Sequence, residues 1–358
     1  MDKEQRLALL VTGSIAAIKT IPLITALRGE RFDVNLLLTR APEEWKWVSV
    51  DEAKAASENA VLTDKAALGD KEKVLNAAQV ILVAPASADF LSQIAHASSE
   101  LARGILDAQR RGSRLMIAPA MNCKMWHHPA VQRNCEALTK AGAVILGPAK
   151  GPVACGDEGF GRMLEVGDIA AGARAAMFGK THPALDLFKA AQKEENIPFC
   201  PPKEQARIVV ALGGGKVVWP NVEKLVAEIQ QTEMLADYVI DRTWAVHRPA
   251  LEKLTQQTVV TDYFQIPEFK GMEHIRLPER AVCVYFPFLD DVLATAMTQG
   301  KADTLFLGLY LASKAPLVTT NKCLQGLSPP FASILRQDGM DAVEGVKDLA
   351  RFCANNND

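Results

Sequence analysis

Continuous apolar runs that end in polar turns constrain the fold of this chain most strongly. The runs 7–11, 34–38, 80–84 and 115–118 each meet a turn containing Gly, Pro, Ser or Thr, and 144–146 is a shorter run of the same kind. Such runs are typical of parallel strands that are buried on both faces. Segments predicted to be helical separate them, most clearly 15–27 and 91–111. The alternation predicts an α/β fold with a doubly wound parallel sheet and a ligand crevice at one edge.

The turn after the first run is suited to an anion. Thr12, Gly13 and Ser14 lie between a predicted strand and a predicted helix, which brings backbone N–H groups and a helix N-terminus together. Ser14 adds a hydroxyl donor, and Thr39 ends the second run at the same edge of the sheet. The turn is not GxGxxG, so it does not indicate a dinucleotide, and a plain strand-to-helix connection is the alternative.

A glycine-rich segment, 154–163, carries several reactive groups. Its three glycines would each cost about 1 kcal/mol in a helix and offer no side chain to a core, so we expect a mobile loop and not a packed strand. The same segment contains the Cys155 thiol, two carboxylates and the Arg162 guanidinium. This composition suits a flap over a small polar ligand, and a glycine-rich turn with an incidental cysteine is the alternative.

Length, charge and cysteine spacing exclude several classes of protein. A chain of 358 residues predicts two domains, and 49% hydrophobic with 23% charged residues is typical of globular proteins. The net charge of -2 gives no electrostatic footprint for nucleic acid or an anionic membrane. The N-terminus reads as neither signal peptide nor membrane span, so we expect a cytoplasmic location. Seven cysteines without CxxC spacing predict reduced thiols and no metal site.

Four motifs occur in order along the first half: residues 12–17, 84–89, 118–126 and 154–163. Together they resemble the homo-oligomeric flavin-containing cysteine decarboxylases, and among these the phosphopantothenoylcysteine decarboxylases of coenzyme A synthesis. The resemblance covers residues 7–167. It implies a Rossmann-like flavoprotein fold, flavin mononucleotide (FMN) as cofactor, a small-molecule substrate and a homo-oligomer.

The resemblance also implies roles for individual residues. Asn122 would hold the substrate carboxylate, and Cys155 on the flap would donate the proton of the last step. A neutral amide is chemically apt for a carboxylate that must leave as carbon dioxide. Asn122 as a turn residue, Met125 as packing and Trp126 as a buried anchor are the alternatives. The expected FMN contacts are Gly13, Ser14, Ile15, Thr39, Ser87 and Ala88, and the further expected substrate contacts are Met125, Gly156, Arg162 and Met163.

One catalytic residue of that family is missing from the first half. The family carries a histidine fourteen residues before the proline of the second motif, and Lys71 stands there in this chain. A match to this histidine motif, His274-Ile275-Arg276-Leu277, occurs in the second half. We therefore expect His274 to act at a composite site shared by the two halves, with a chance match as the alternative.

The second half repeats the first faintly. Gly213, His274 and Asn321 follow Gly13, Lys71 and Asn122 by 200, 203 and 199 residues, which indicates a duplicated domain. The second copy lacks the cysteine flap. The predicted organisation is a flavoprotein decarboxylase-like domain at 1–180, a Pro-containing linker at 181–204 and a divergent flavoprotein-like domain at 205–358.

The predicted function is FMN-dependent decarboxylation of 4'-phosphopantothenoylcysteine, or of a related cysteine conjugate, to a pantetheine-type product in coenzyme A biosynthesis. Another flavoprotein of the same fold is the alternative enzyme, either a peptidyl-cysteine decarboxylase or a flavin-linked reductase. A flavin-binding regulatory subunit without catalytic activity is the alternative outside enzymes.

Overall fold

Each half of the chain contains one parallel sheet flanked by helices. In the computed structural model, residues 5–154, 156–192, 207–215, 218–232, 234–263, 265–269 and 272–356 are described. Contacts divide the chain into a first unit, Met1–His127 with Val131–Glu195, and a second unit, Asn196–Asp358 with His128–Ala130. The predicted fold class, a doubly wound α/β sheet present in two copies, is confirmed.

The sheet of the first unit has six strands in the order β3-β2-β1-β4-β5-β6, all of them parallel. The chain leaves β1 toward β2 on one side and continues with β4 on the other, so the strand order reverses at β1. In such sheets the crevice for ligands lies at this point, beyond the carboxyl ends of the strands. The strands are β1 Gln5–Val11, β2 Phe32–Leu38, β3 Val61–Leu62, β4 Val80–Ala86, β5 Arg114–Pro119 and β6 Val144–Ile145.

Helices cover both faces of this sheet, and hydroxyl side chains begin several of them. Ser49, Ser87 and Ser99 each accept a hydrogen bond from a backbone N–H in the first turn of the helix that follows. The predicted continuous helix 91–111 is wrong, because α5 ends at Ala95 and Ser99 starts α6 after Ala97 with a φ of 49°. The helices are α1 Thr20–Gly29, α2 Arg40–Glu44, α3 Val50–Ser57, α4 Leu68–Ala77, α5 Ala88–Ala95, α6 Glu100–Arg110, α7 Cys123–His127, α8 Pro129–Lys140, α9 Val166–Met177 and α10 Pro183–Ala191, and Ile15–Lys19 is a 3-10 helix.

The glycine-rich segment forms half of an antiparallel hairpin, not the mobile loop that its glycines predict. Strand β7, Ala149–Pro152, pairs with β8, Glu158–Arg162, and Cys155 between them lies outside the described residues. Gly161 has a φ of 141°, and a Cβ there would stand 2.5 Å from the carbonyl oxygen of Met121. The glycine is therefore needed for close packing of the strand.

The sheet of the second unit has five parallel strands in the order β10-β9-β11-β12-β13. This order matches β2-β1-β4-β5-β6 of the first unit, as a duplication predicts. The strands are β9 Arg207–Leu212, β10 Leu235–Ile240, β11 Cys283–Phe286, β12 Leu317–Thr320 and β13 Met340–Val343. The helices are α11 Trp219–Gln230, α12 Arg248–Thr255, α13 Glu273–Glu279, α14 Asp291–Thr298, α15 Leu305–Ala312, α16 Asn321–Gly326, α17 Phe331–Gln337 and α18 Val346–Asn355, with 3-10 helices at Arg242–His247 and Pro267–Phe269.

Helix α10 lies inside the predicted linker 181–204 and packs on the first unit. The indole N–H of Trp126 donates to the carbonyl oxygen of Ala191 at 2.7 Å, and Phe188 meets the indole edge-on at 6.1 Å. Trp126 is fully buried, which confirms it as an anchor. The rest of that linker, from residue 193, lies outside the described residues. Within the described ranges, every helix is too short or too polar to cross a membrane.

Candidate functional site

The crevice of the first unit is built around Thr12, directly after β1. Its hydroxyl donates to the carbonyl oxygen of Pro85 at 2.7 Å and accepts from the backbone N–H of Ser87 at 2.8 Å. Only 1% of Thr12 is exposed, so these bonds are shielded from water. The turn after β1 and the turn after β4 are thereby joined at the point where the strand order reverses.

Thr39 joins the next strand to the same edge. Its backbone N–H and its hydroxyl both reach the carbonyl oxygen of Val11, at 3.0 and 3.2 Å. On the other side, the N–H of Ala120 donates to the carbonyl oxygen of Ala86 at 2.9 Å. Hydrogen bonds thus connect the turns after β2, β1, β4 and β5 in a row, from Thr39 to the turn that carries Asn122.

Backbone N–H groups at this edge are suited to an anion. Among the described residues, the N–H groups of Gly13 and Ile15 have no hydrogen-bond partner, although they stand at the start of a helical turn. A Cβ on Gly13 would lie 3.1 Å from the Cβ of Ala41, so the turn leaves little room for a side chain. Ala88 starts α5 behind Ser87, and this second helix N-terminus faces the same edge. Orphaned donors beside helix N-termini are the groups that hold a phosphate in this type of fold.

Asn122 lies beside the hairpin and already holds a carboxylate. Its side chain is 7% exposed, its Oδ1 accepts from the N–H of Lys124 at 2.7 Å, and its Nδ2 donates to Oδ2 of Asp157 at 2.9 Å. The bond to Lys124 fixes which side of the amide faces the hairpin. Asn122 therefore presents an N–H group to a carboxylate at this position.

The hairpin rests directly on the Asn122 turn. The N–H of Met121 donates to the carbonyl oxygen of Gly161 at 3.0 Å. At the tip, the N–H of Val153 donates to the carbonyl oxygen of Asp157, and that of Gly156, whose φ is 92°, donates to Val153, both at 2.9 Å. The contact between Asp157 and Asn122 brings this tip to the crevice. Ala154 and Gly156, which flank Cys155 in the chain, belong to the same tip.

Among the remaining predicted substrate contacts, one is an ion-paired arginine and two are buried methionines. Arg162 forms an ion pair with Glu165, and a hydrogen bond from Lys19 at 3.1 Å holds the pKa of Glu165 below its usual range. Met125 and Met163 are 9% and 3% exposed. Their burial is what packing residues would show, while a contact with substrate stays a prediction for both.

Two positions tied to the missing histidine can be located. Lys71 lies in α4, and its Nζ donates to the carbonyl oxygen of Asp64 at 2.7 Å. His274 lies in the first turn of α13, with its ring edge-on to Tyr263 at 5.3 Å. Burial lowers the pKa of His274 to about 4, so this imidazole is neutral at pH 7. The catalytic role of His274 stays a prediction.

Comparison with known proteins identifies the first half. Residues 1–177 match the family model described as Flavoprotein. This part of the chain is therefore similar to the flavoprotein family, and we call it the flavoprotein unit. The resemblance predicted from the four motifs is confirmed for this part of the chain.

The curated relatives of the flavoprotein unit share one description. The Haemophilus influenzae "Coenzyme A biosynthesis bifunctional protein CoaBC" is 39% identical over 167 residues, which are 44% of this chain and 40% of that protein. The Escherichia coli K12 protein of the same description is 34% identical over 166 residues, covering 45% and 40%. The chain therefore spans about two fifths of the length of the curated relatives that it matches.

Solved structures are similar over the same half. A PPC decarboxylase mutant complexed with pantothenoylaminoethenethiol is 27% identical, with a TM-score of 0.42, and covers 49% of this chain and 98% of its own. The FMN binding protein AtHal3 is 27% identical, with a TM-score of 0.41, and covers 50% and 100%.

Two residues of the flavoprotein unit gain importance that the sequence did not give them. Thr12 was part of a motif, but its hydroxyl forms hydrogen bonds to Pro85 and Ser87, which are 73 and 75 residues away in the sequence. Asp157 was one of the flap carboxylates, and its bond to Asn122 spans 35 residues. A hydroxyl at the end of a buried strand was the available signal for Thr12. No comparable signal marked Asp157.

Proposed function

We propose that the first unit binds FMN and decarboxylates a cysteine conjugate, 4'-phosphopantothenoylcysteine or a close relative, to a pantetheine-type product in coenzyme A biosynthesis. The carbon dioxide leaves from the cysteine carboxylate. The observation that carries the proposal is the amide of Asn122, which holds the Asp157 carboxylate at 2.9 Å beside the hairpin of β7 and β8. The relatives described as coenzyme A biosynthesis proteins support the substrate class.

The phosphate of FMN would be held by the turn after β1. The orphaned N–H groups of Gly13 and Ile15, with the Ser14 hydroxyl and the start of α5 at Ser87, supply donors and no side-chain bulk. FMN, when bound, supplies oxidation of the substrate at its thiol-bearing end and later returns the electrons.

The residues of the chain orient the substrate and move one proton. Asn122 binds the carboxylate through a neutral amide, so no permanent charge opposes its departure as carbon dioxide. The substrate carboxylate binds the amide nitrogen of Asn122, from which Asp157 accepts a hydrogen bond in this structure. The hairpin then covers the substrate and excludes water, and the Cys155 thiol donates the proton that completes the product.

Two expectations about the whole protein belong to the same proposal. We propose a homo-oligomer, because the family that the motifs resemble is homo-oligomeric, and size-exclusion chromatography with light scattering tests it. We also propose a cytoplasmic location, where coenzyme A precursors are made, and fractionation of cells tests it.

The experiment follows flavin and carbon dioxide separately. The full chain, reconstituted with FMN, should show flavin absorbance and release carbon dioxide from 4'-phosphopantothenoylcysteine. Gly13→Asp should lose the flavin because it sets a carboxylate against the phosphate. Cys155→Ser should keep flavin and release carbon dioxide but stop at the enethiol, because a hydroxyl is a far weaker acid than a thiol of pKa about 8.5. Bound flavin without carbon dioxide release would favour a reductase or a regulatory subunit instead.

A further inference from the structure

The second unit repeats the strand order of the first, so each turn at a strand end has a counterpart. The N–H of Asp241, after β10, donates to the carbonyl oxygen of Leu212 at 2.9 Å, and that of Thr39, after β2, donates to Val11 at 3.0 Å. The two residues therefore occupy the same place in the two sheets. A carboxylate in the second unit stands where the first unit has a hydroxyl.

The helix after β4 in the first unit and the helix after β11 in the second differ in the same way, because a carboxylate replaces a hydroxyl. Ser87 begins α5 and accepts from the N–H of Phe90 at 3.2 Å. Asp290 begins α14 and accepts from the N–H of Leu293 at 2.9 Å through Oδ1. Both side chains cap a helix, and only Asp290 brings a negative charge.

The second oxygen of Asp290 reaches the glycine turn. Its Oδ2 accepts from the N–H of Gly215 at 2.7 Å, and Asp290 is 7% exposed. One buried carboxylate thus takes up both the N–H of the glycine turn and the N-terminus of the helix. These are the two kinds of donor with which a glycine turn in this type of fold holds a phosphate.

The glycines of this turn make room for the carboxylate of Asp290 and for the Cβ of Asp241. Gly214 has a φ of 102°, and a Cβ there would lie 3.3 Å from Oδ2 of Asp290. A Cβ on Gly213 would lie 3.1 Å from the Cβ of Asp241. The indole of Trp244 donates to the carbonyl oxygen of Gly214 at 3.2 Å and fixes the turn further. The space beside the glycine turn that a phosphate would need is therefore already occupied by the Asp290 carboxylate.

We propose that Asp290, supported by Asp241, fills the anion subsite of the second unit, so that this unit binds no nucleotide phosphate and the full chain takes up one FMN. The count of one rests on the function proposed for the first unit. The exclusion of a phosphate from this turn does not rest on it, because it is argued from the contacts of Asp290 and Asp241 within the second unit.

The first test counts flavin on the full chain. Reconstituted protein should hold one FMN per chain, measured by flavin absorbance against protein concentration. Ser87→Asp, which gives the first unit the carboxylate found in the second, should weaken FMN binding at least about tenfold by placing like charges together. Two FMN per chain, or one FMN held by Ser87→Asp with unchanged affinity, would overturn the proposal.

The second test opens the second unit with the residues of the first. Asp290→Ser combined with Asp241→Thr keeps a helix cap at position 290, since serine caps as well as aspartate does. The probe is inorganic phosphate, and the readout is the Gly215 amide signal in a nitrogen-15 NMR spectrum of the full chain. Phosphate should leave this signal unchanged in the natural chain and shift it saturably in the double variant. A signal that shifts in the natural chain, or that stays unchanged in the double variant, would refute the proposal.

Two further variants keep this test decisive. Asp341→Ser removes one negative charge from an exposed position on β13 and should leave the phosphate response absent. Asp290→Asn keeps the side-chain shape, serves if the double variant does not fold, and should give a weaker saturable shift. A natural chain that binds no FMN would refute the function proposed for the first unit, while the phosphate titration still decides the second.

Discussion

Gly161→Ala tests whether the hairpin must rest on the Asn122 turn. The new Cβ would stand 2.5 Å from the carbonyl oxygen of Met121 and 3.2 Å from the N of Cys123, so the strand has to move. A φ of 141° is a region reserved for glycine and costs about 1–3 kcal/mol for alanine. Loss of the bond from Met121 N–H to Gly161 costs about 1 kcal/mol more.

Together these effects disfavour the docked hairpin by about 2–4 kcal/mol, which corresponds to roughly a 30- to 700-fold loss of its population. We expect kcat/KM for carbon dioxide release to fall by up to that factor while flavin stays bound. Trypsin should also cut faster after Lys150 and Arg162, which provides a readout that does not depend on activity. Gly167→Ala is the matched control, because a Cβ there meets open space in the first turn of α9. An unchanged cleavage rate with full activity in Gly161→Ala would show that the hairpin is not held in this way.

Substitutions at three further residues probe single contacts. Asn122→Ala should lower kcat/KM for decarboxylation by about a hundredfold or more while flavin absorbance is kept, since it removes the donor to the carboxylate; normal turnover would exclude Asn122 from the reaction. Asp157→Ala should lower KM about tenfold by freeing the N–H that the substrate needs, whereas a higher KM would mean that Asp157 positions the amide. His274→Ala should lower turnover about a hundredfold with flavin still bound if the histidine is the base, and full activity would leave it a structural role. His274 also predicts a pH effect: because its folded pKa of about 4 lies below the usual 6.5, the unfolded chain binds the extra proton, and the free energy of unfolding should fall by up to about 3 kcal/mol as pH drops from 6.5 to 4. Urea unfolding at several pH values measures this loss, which His274→Gln should remove.

The sheets were predictable because their strands are buried on both faces. Leu7 to Val11 are all fully buried, and an unbroken apolar run is the direct sign of such burial. Strands β3 and β13 were missed because β3 has only two residues and the four residues of β13 are of mixed polarity, which leaves too little pattern in either. The same limit hid the break between α5 and α6, where one residue with positive φ interrupts an apolar periodicity that otherwise continues.

The site was predictable in its residues but not in its contacts. The ends of the apolar runs predicted Gly13, Thr39 and Ser87 at one edge, and the strand order brings those turns together. The segment was predicted as a loop because glycine was weighed by its cost in a helix and by the side chain it withholds from a core, whereas Gly161 is required by a neighbouring backbone. Likewise, a carboxylate in place of a serine could be read from the sequence at Asp290, but its bond to Gly215 could not.

The bond from Trp126 to Ala191 makes α10 part of the first unit. The family match ends at residue 177, yet the indole N–H is satisfied only by a helix that runs to Ala191. A fragment cut at residue 177 would lose this hydrogen bond, at a cost of about 1 kcal/mol, and would expose to water the indole surface that Phe188 covers. The unit that recombination or gene fusion could transfer intact therefore extends through α10.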